Sequence, residues 1–172
     1  RLTFGSSGVG SSTHLTMAML LQKAGVQMTH VPYRGAQLIM AALLAGDIDC
    51  FVGDVSIPLE HVRAGTARSI AVTTTARAPL LPDVPSASEV VPGFASTLWY
   101  GVFAARATAP EAVRRMLAEL QALRAPGGDL DRRVSERGYE LLLAGPDVLA
   151  ERLRAEVPQW QAVVAAAGIR PE

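Results

Sequence analysis

The fold is decided by residues 2–12, which read LTFGSSGVGSS. The first part of this stretch, up to Phe4, is β-prone and predicts a short strand, and the glycines and serines after it predict a loop. An apolar-rich segment then runs from Thr13 to Ala24 and stops at Gly25, which is typical of a helix with a serine or threonine N-cap and a glycine C-cap. The stretch therefore predicts a strand, a loop and a helix in succession.

The same alternation continues as far as Thr74. Further strands are predicted at residues 28–31, 48–52 and 68–74, and further helices at residues 36–45 and 56–64. The strand at residues 48–52 is almost continuously apolar, as expected when both faces of a parallel sheet are covered. The order βαβαβαβ predicts an open α/β sheet.

Residues 75–97 break this alternation. This stretch contains four prolines, Pro79, Pro82, Pro85 and Pro92. Because proline is excluded from a regular helix interior and from a central strand, we expect a long surface connection. An extended apolar run follows at residues 94–105. It contains Trp99 and Tyr100, which either line a binding cleft or pack, and packing is usual for aromatic side chains in an apolar run.

The rest of the chain is predicted to be helical. An apolar stripe between Val113 and Leu123 indicates one helix, residues 129–137 a second, and the chain from Asp147 a third, in which Pro158 is expected to bend or split the helix. Three helices behind one extended segment do not enclose a core. The second half of the chain therefore looks incomplete.

Composition and charge exclude several classes of protein. Lys and Arg together number 16, as do Asp and Glu, so no positive field is available to hold a nucleic acid. Hydrophobic residues make up 49% of the chain, which supports a folded core. No segment approaches the roughly 18 consecutive apolar residues of a membrane span. The first residues do not form a signal peptide, but Arg1 is not an initiator methionine, so export stays compatible with the sequence.

The pattern contains no sign of metal or thiol chemistry. His14, His30 and His61 are far apart and lack metal-ligand spacing, so each is interpreted as structural. Cys50 lies in an apolar run and is interpreted as a small buried side chain. We therefore expect no metal, no cofactor and no catalytic residue.

Six short strings occur in an order and spacing that resemble a known family. They are GSSGVGS at 5–11, HVPYRG at 30–35, AGTAR at 64–68, LPDVPS at 81–86, WYG at 99–101 and WQAVVAAAGI at 160–169. Together they resemble the solute-binding receptors of tripartite tricarboxylate transporters, also called the Bug family, over essentially the whole chain. The resemblance implies a periplasmic binding protein of the type II fold, with a ligand cleft between two α/β lobes and no chemistry on the ligand. The partners it implies are a small carboxylate or dicarboxylate and the membrane subunits of a transporter.

The resemblance also implies how the chain divides. Residues 1–97 correspond to a complete α/β ligand-binding lobe, the family's domain 2. Residues 98–172 correspond to the C-terminal helices of domain 1, whose N-terminal part lies outside this chain. The expected fold is thus an open-sheet domain with flanking helices, followed by the helices of an incomplete first lobe, which agrees with helices that lack a sheet.

The glycine- and serine-rich loop is the first candidate binding element. A carboxylate needs several donors that converge on its oxygens, and a helix N-terminus supplies backbone N–H groups and the positive end of a dipole. Glycines allow close approach of the backbone, and serines add hydroxyl donors. We expect one carboxyl group of the ligand to be bound by Ser6, Ser7, Gly8, Val9, Gly10 and Ser11. The alternative is a tight strand-to-helix turn whose serines are solvated.

The next two strand ends should open on the same edge of the sheet, where open α/β sheets bind ligands. After the second strand we expect the backbone amides of Gly35 and Ala36 to act as donors, with the ring of Tyr33 as a wall. After the third, Asp54 either contacts a ligand amine or hydroxyl or caps the following helix. Members of the family usually carry Asp-Asn or a similar pair here, so Gly53 departs from the family's pattern.

Two other functions stay open at this point. One is an enzyme that uses phosphate or nucleotides, although the loop lacks the Gly-Lys-Ser/Thr ending of a P-loop and its glycines do not fit the dinucleotide fingerprint. The chain also lacks the Gly-x-Ser-x-Gly elbow of hydrolases. The other is an interaction module that no longer binds ligand and self-associates through exposed apolar helix stripes.

Overall fold

The computed structural model describes residues 1–125 and 128–169. The chain divides into two compact units. Unit 1 comprises Arg1–Leu98 together with the chain from Pro158 onward, and unit 2 comprises Trp99–Val157. All the residues predicted to bind a ligand therefore lie in unit 1.

Unit 1 contains a parallel sheet with helices between its strands. The strands, which lie in the order β2-β1-β3, are β1 (Thr3–Ser6), β2 (Thr29–Pro32) and β3 (Cys50–Phe51). In the central strand β1, Gly5 is paired with Val31 on one side and with Phe51 on the other, and both pairings are parallel. The predicted α/β fold with an open parallel sheet is confirmed.

The helices of unit 1 are α1 (Ser12–Ala24), α2 (Ala36–Ala45) and the short α3 (Leu59–Arg63). The hydroxyl of Ser11 accepts a hydrogen bond from His14 N and caps the first turn of α1. The helix ends at Gly25, whose φ of 67° lies in the left-handed region that favours glycine. Local sequence signals thus fix both ends of α1 as predicted.

Two groups of buried side chains form the core of unit 1. One lies between α2 and the sheet and consists of Ile39, Ala42 and Ile48, with Val31, Tyr33, Leu43 and Phe51 packed against it. The other joins α1 to later parts of the chain and consists of Met19, Ala87, Phe94 and Val163, with Trp160 among the side chains packed on it. Residues beyond Pro158 therefore complete the core of unit 1.

The predicted fourth strand at residues 68–74 is wrong. Its only bridge among the described residues is a single parallel pairing of Val72 with Ser86. Val72 N donates to Pro85 O, and Val72 O accepts from Ala87 N, both at 2.9 Å. Because residues 85–87 supply hydrogen-bond partners for the N–H and carbonyl of Val72, these groups are satisfied without pairing to the sheet.

Two other predicted elements are shorter than expected. The third strand is reduced from residues 48–52 to Cys50–Phe51, and the third helix from residues 56–64 to Leu59–Arg63. The turn at Asp54 lies between them, and the helix begins only at Leu59. Cys50 is half-buried, not fully buried, and its Sγ donates to Thr3 O at 3.8 Å.

The sequence predicted that the proline-rich connection at residues 75–97 lies on the surface. The structure shows instead that part of it is buried. Four of its side chains are buried: Ser86, Ala87, Phe94 and Ser96. Ser86 begins a short 3₁₀ helix (Ala87–Glu89) through a capping box, in which its hydroxyl accepts from Ser88 N and Glu89 accepts from Ser86 N. Burial of a phenylalanine such as Phe94 contributes about 1.5–3 kcal/mol, which helps to hold this irregular segment in the core.

Unit 2 is built from helices and irregular chain. It contains α4 (Pro110–Ala122), α5 (Asp129–Ser135) and the first part of α6 (Pro146–Ala167). None of its described residues is buried, and the apolar stripe of α4 leaves Met116 and Leu123 about half exposed, at 51% and 52%. The stripe exists as predicted, but the described residues of unit 2 supply no sheet to cover it.

Helix α6 runs without interruption through Pro158, so of the two predicted outcomes, a bend or a split, the split is wrong. A proline in a helix interior removes one backbone hydrogen bond and weakens the turn before it. Val163 is buried and Trp160 packs beside it in the core of unit 1, and this burial holds the helix beyond the proline.

Candidate functional site

The loop at residues 7–11 joins the end of β1 to the beginning of α1. Its backbone turns at Gly8 and Gly10, whose φ angles of 126° and 74° lie where other residues are strained. A Cβ atom added at either glycine would meet no heavy atom within 4 Å. Glycine is needed here for its backbone conformation, and the space beside the loop is open.

The serine hydroxyls of the loop are committed to its own structure. Ser6 Oγ donates to Gly8 O at 3.1 Å and accepts from Gly8 N at 3.2 Å, while Ser11 Oγ donates to the same carbonyl at 2.7 Å. Ser7 Oγ lies 3.0 Å from Thr13 Oγ1. These hydroxyls shape the loop, which favours backbone groups as the donors to a ligand.

Three backbone N–H groups at this end of α1 have no hydrogen-bond acceptor within residues 1–125 and 128–169; they belong to Val9, Ser12 and Thr13. Val9 is 45% exposed, and Ser12 is exposed as well. The first N–H groups of a helix also carry the positive end of its dipole. The loop therefore presents unpaired donors of the kind that bind a carboxylate or phosphate.

A second set of donors follows β2. Tyr33 N donates to Ser6 O at 2.8 Å, which fastens the two loops together at the edge of the sheet. Gly35, with φ 107°, is the N-cap of α2 and has no side chain to cap it. Within the described residues, the N–H groups of Gly35 and Ala36 have no hydrogen-bond acceptor. The structure thus brings the two predicted binding segments to one edge.

The ring of Tyr33 is half-buried and packs on the core between α2 and the sheet. Its Cε2 lies 3.6 Å from the position that a Cβ atom of Gly5 would occupy. The ring is therefore fixed by packing beside the strand end, a placement compatible with the predicted wall.

Asp54 shapes a turn after β3. Its Oδ1 accepts from Ser56 N at 2.9 Å and from Ser56 Oγ at 2.8 Å. The N-cap of α3 is Pro58, so Asp54 does not cap that helix as one reading of the sequence proposed. Its contact with a ligand stays a prediction.

Two histidines lie directly beneath the loop, and their relation to it was missed in the sequence. The rings of His14 and His30 stack with centroids 3.8 Å apart and planes inclined by 8°, and Phe4 stacks on His30 at 5.0 Å. Burial lowers the pKa of both imidazoles, and His14 further lowers the pKa of His30. The lowered pKa values favour the neutral form of both rings.

Unit 2 has an apolar groove of about 280 Å³. Its lining includes Val102, Phe103, Met116 and Leu142, and Arg152 is the one charged residue among the lining side chains. The Arg152 guanidinium lies 5.5 Å from the centre of the Trp99 ring, and its Nε donates to Glu156 at 2.6 Å. The groove offers little to hold an anion.

The two aromatic residues of the WYG string differ in environment. Trp99 Nε1 donates to Glu156 Oε2 at 2.8 Å, so its ring is anchored inside unit 2. Tyr100 is 76% exposed, and its ring lies edge-on to that of Tyr139, with ring centroids 6.4 Å apart. Packing within unit 2, the expected role, fits Trp99 better than Tyr100.

No group of three or more metal-binding side chains occurs in the described part of the chain. Within the same residues, no helix combines the length and the hydropathy that a bilayer span requires.

A sequence profile described as "Tripartite tricarboxylate transporter family receptor" matches residues 1–169. A Pseudomonas sp. protein named for its place in the tcbD-tcbE intergenic region is 35% identical over 95% of this chain and 49% of its own length. The chain thus spans about half the length of the curated relatives that it matches from end to end.

Solved structures show the same fold. A Rhodopseudomonas palustris protein solved with adipate has a TM-score of 0.88 at 30% identity, over 100% of this chain and 57% of its own. The periplasmic binding protein BugD has a TM-score of 0.84 at 29% identity, over 99% of this chain and 58% of its own. A second R. palustris protein, with bound malate, has a TM-score of 0.81 at 28% identity, over 95% of this chain and 56% of its own.

Proposed function

The chain belongs to the family of tripartite tricarboxylate transporter receptors, and from that premise we propose that it captures a small carboxylate or dicarboxylate for uptake. One observation carries the proposal: two neighbouring strand ends present unpaired backbone N–H groups at the same edge of the sheet. Adipate and malate are bound by two of its structural neighbours, and both are dicarboxylates.

The two loops have different parts in this proposal. One carboxyl group of the ligand lies on the N–H groups of Val9, Ser12 and Thr13, with the positive end of the α1 dipole behind them. The N–H groups of Gly35 and Ala36 face the ligand from the second loop, and Tyr33 limits the space beside them. Asp54 would meet a ligand hydroxyl or amine beyond the third strand.

The proposed role is capture and delivery without chemistry. Backbone N–H donors fix an anion in place but supply neither a nucleophile nor a general base. We propose that the ligand passes to membrane subunits of a transporter. We also propose that the protein works in the periplasm, because its structural neighbour BugD is described as a periplasmic binding protein.

A second proposal concerns unit 2. Its apolar groove and the stripe of α4 are exposed, and the relatives are about twice as long as this chain. We propose that the remainder of domain 1 covers these surfaces in a longer protein. The 172-residue chain by itself then self-associates through them.

A thermal-shift screen tests the binding proposal. Two proteins are compared: this chain, and a chimera with the preceding lobe of the adipate-bound relative joined ahead of Arg1. The ligands are adipate, malate, succinate, citrate and glutamate, with adipamide as the uncharged control. A ligand at about 100 times its Kd should stabilise by roughly 2.7 kcal/mol.

We expect at least one acid to raise the Tm of the chimera while adipamide leaves it unchanged. A shift in the chimera alone would mean that the second lobe is required and would leave the assignment intact. If no acid shifts either protein, or if adipamide acts as strongly as adipate, the carboxylate assignment is wrong.

A further inference from the structure

The stacked histidines touch the binding loop at two points. His14 is buried, and its Nδ1 accepts the backbone N–H of Gly10 at 3.1 Å. The Nε2 of His30 lies 2.5 Å from Ser6 Oγ, which is bonded in turn to both the N–H and the carbonyl of Gly8. The two contacts therefore hold the residues on either side of Val9, whose own N–H is unpaired.

The contact to Gly10 defines the protonation of His14. A ring nitrogen that accepts an N–H must be unprotonated, so the neutral ring carries its proton on Nε2. A protonated ring has donors on both nitrogens, and Nδ1 would then face the Gly10 N–H with a second hydrogen. The loop can keep its observed shape only while His14 is neutral.

The environment of the pair favours that neutral state. Phe4 and Ser6 of β1, which contact the rings, carry no charge. The one charge effect on either pKa is that of His14 on His30, and among the described residues no carboxylate raises the pKa of either ring. Two imidazolium rings at 3.8 Å would repel each other strongly in a partly buried site.

We propose that His14 and His30 are positioning residues, which hold Gly8 and Gly10 so that the Val9 N–H points to the ligand carboxylate. The inference rests on the proposed function for its ligand. It adds a pH dependence that fixed backbone donors alone would not have, because carboxylate affinity should fall as His14 becomes protonated.

The sign of this effect distinguishes positioning from simple attraction. A positive ring beneath an anion site would attract a carboxylate, so affinity would rise at low pH if charge alone mattered. Loss of the Gly10 contact predicts the opposite. Because the pKa of His14 is lowered from 6.5, affinity should fall as the pH is lowered below that value, by more than protonation of adipate itself explains.

The first experiment needs no ligand. Long-range ¹H–¹⁵N spectra of the ¹⁵N-labelled chain report which nitrogen of His14 carries the proton, and the Gly10 amide signal is followed against pH. We expect the Nε2–H form, and a Gly10 signal that moves with the titration of His14. The Nδ1–H form, or a Gly10 signal that is indifferent to that titration, would overturn the inference whatever the protein binds.

The second experiment uses adipate as the probe and compares two variants in the chimera. His14→Asn can keep an acceptor near Gly10 but cannot titrate, so affinity at pH 7.5 should stay within about threefold and its pH dependence should vanish. His14→Leu removes the acceptor and should weaken adipate binding at least about tenfold. Variants of equal Tm that bind adipate equally would contradict the inference, whereas failure of the unmodified chimera to bind any acid would instead refute the proposed function.

Discussion

Thr16 and Ser96 share a hydrogen bond inside the protein: their side-chain oxygens lie 2.8 Å apart although 80 residues separate them in the sequence. Both residues are buried, at 7% and 8% exposure. Ser96 N also donates to Thr73 O at 2.8 Å. The pair therefore ties α1 to two segments whose placement could not be predicted from local sequence.

Removal of one partner should leave the other hydroxyl buried and unpaired. We expect Thr16→Val to lower the free energy of unfolding by about 1–3 kcal/mol, measured by urea denaturation. Thr29→Val is the control, because Thr29 is exposed on β2, and it should change stability by less than about 0.5 kcal/mol. The double variant with Ser96→Ala should lose less than the sum of the single losses; strict additivity would contradict the coupling.

Gly5 is required by packing, not by its backbone conformation. A Cβ atom at this position would lie 2.6 Å from Ile48 Cδ1 and 3.0 Å from Ile39 Cγ2, and both isoleucines are buried. Gly5→Ala should therefore cost about 1–3 kcal/mol of stability through overpacking. Gly145→Ala, where no heavy atom lies within 4 Å of the added methyl, should leave the Tm nearly unchanged. Equal Tm values for the two variants would count against this account.

Local signals explain the parts of the fold that the sequence predicted well. Gly25 and Gly46 end α1 and α2 because each occupies the left-handed region just beyond the last helical residue. Helix α2 has the predicted bounds, Ala36–Ala45. Such signals act over a few residues, so they can be read without knowledge of the rest of the fold.

Partners distant in sequence explain what was missed. Residues 68–74 have strand-like composition, but their backbone partners are Pro85, Ala87 and Ser96, which a local pattern cannot identify. The contact of His14 with His30 likewise depends on the pairing of β1 with β2, which sets Phe4 opposite His30. The loop was predicted as a binding element, but its support beneath was not.

Glu89 links the 3₁₀ helix to Arg77 and should make stability depend on pH. Its hydrogen bond to Arg77, followed by the bond from Ser86 N, lowers the pKa of Glu89 from 4.5 to about 2. A lowered carboxyl pKa gives stability that is present above pH 4.5 and is lost as the pH falls towards 2. The Tm difference between the unmodified chain and Glu89→Gln should therefore be largest near neutral pH and shrink in acid.

The side chain of Glu89 is exposed, so salt provides the check on this prediction. Screening should reduce the difference between the two proteins at neutral pH, with the part due to the Ser86 contact persisting. A difference that stays constant from about pH 7 to about pH 3 would show that protonation of Glu89 is not responsible.

The apolar groove of unit 2 predicts association of the isolated chain. Phe103 is 66% exposed and lines the groove, so Phe103→Lys places a charge where a second copy would pack. Light scattering should show oligomers of the unmodified chain and a smaller mean mass for this variant. Gln121→Lys adds the same charge at an exposed position outside the groove lining and should leave the mass unchanged. A monodisperse monomer of the unmodified chain would refute the prediction.

A negative charge at the tip of the binding loop provides the sharpest test of the site. Val9 is 45% exposed and its N–H is one of the unpaired donors, so Val9→Asp would place a carboxylate next to the position assigned to the ligand carboxylate. Repulsion between the two charges should weaken binding of any dicarboxylate by at least about tenfold, with little effect on Tm.

Val26→Asp is the matched control. Val26 is 54% exposed and lies just beyond the C-terminal end of α1, at the other end of the helix from Val9. The same charge there should leave the Kd unchanged, and calorimetric titration of both variants in the chimera makes the comparison. Equal weakening by the two substitutions would indicate a general charge effect. Loss of binding in Val9→Asp alone would locate the carboxylate at the N-terminus of α1, because only there does the added charge compete for the same backbone donors.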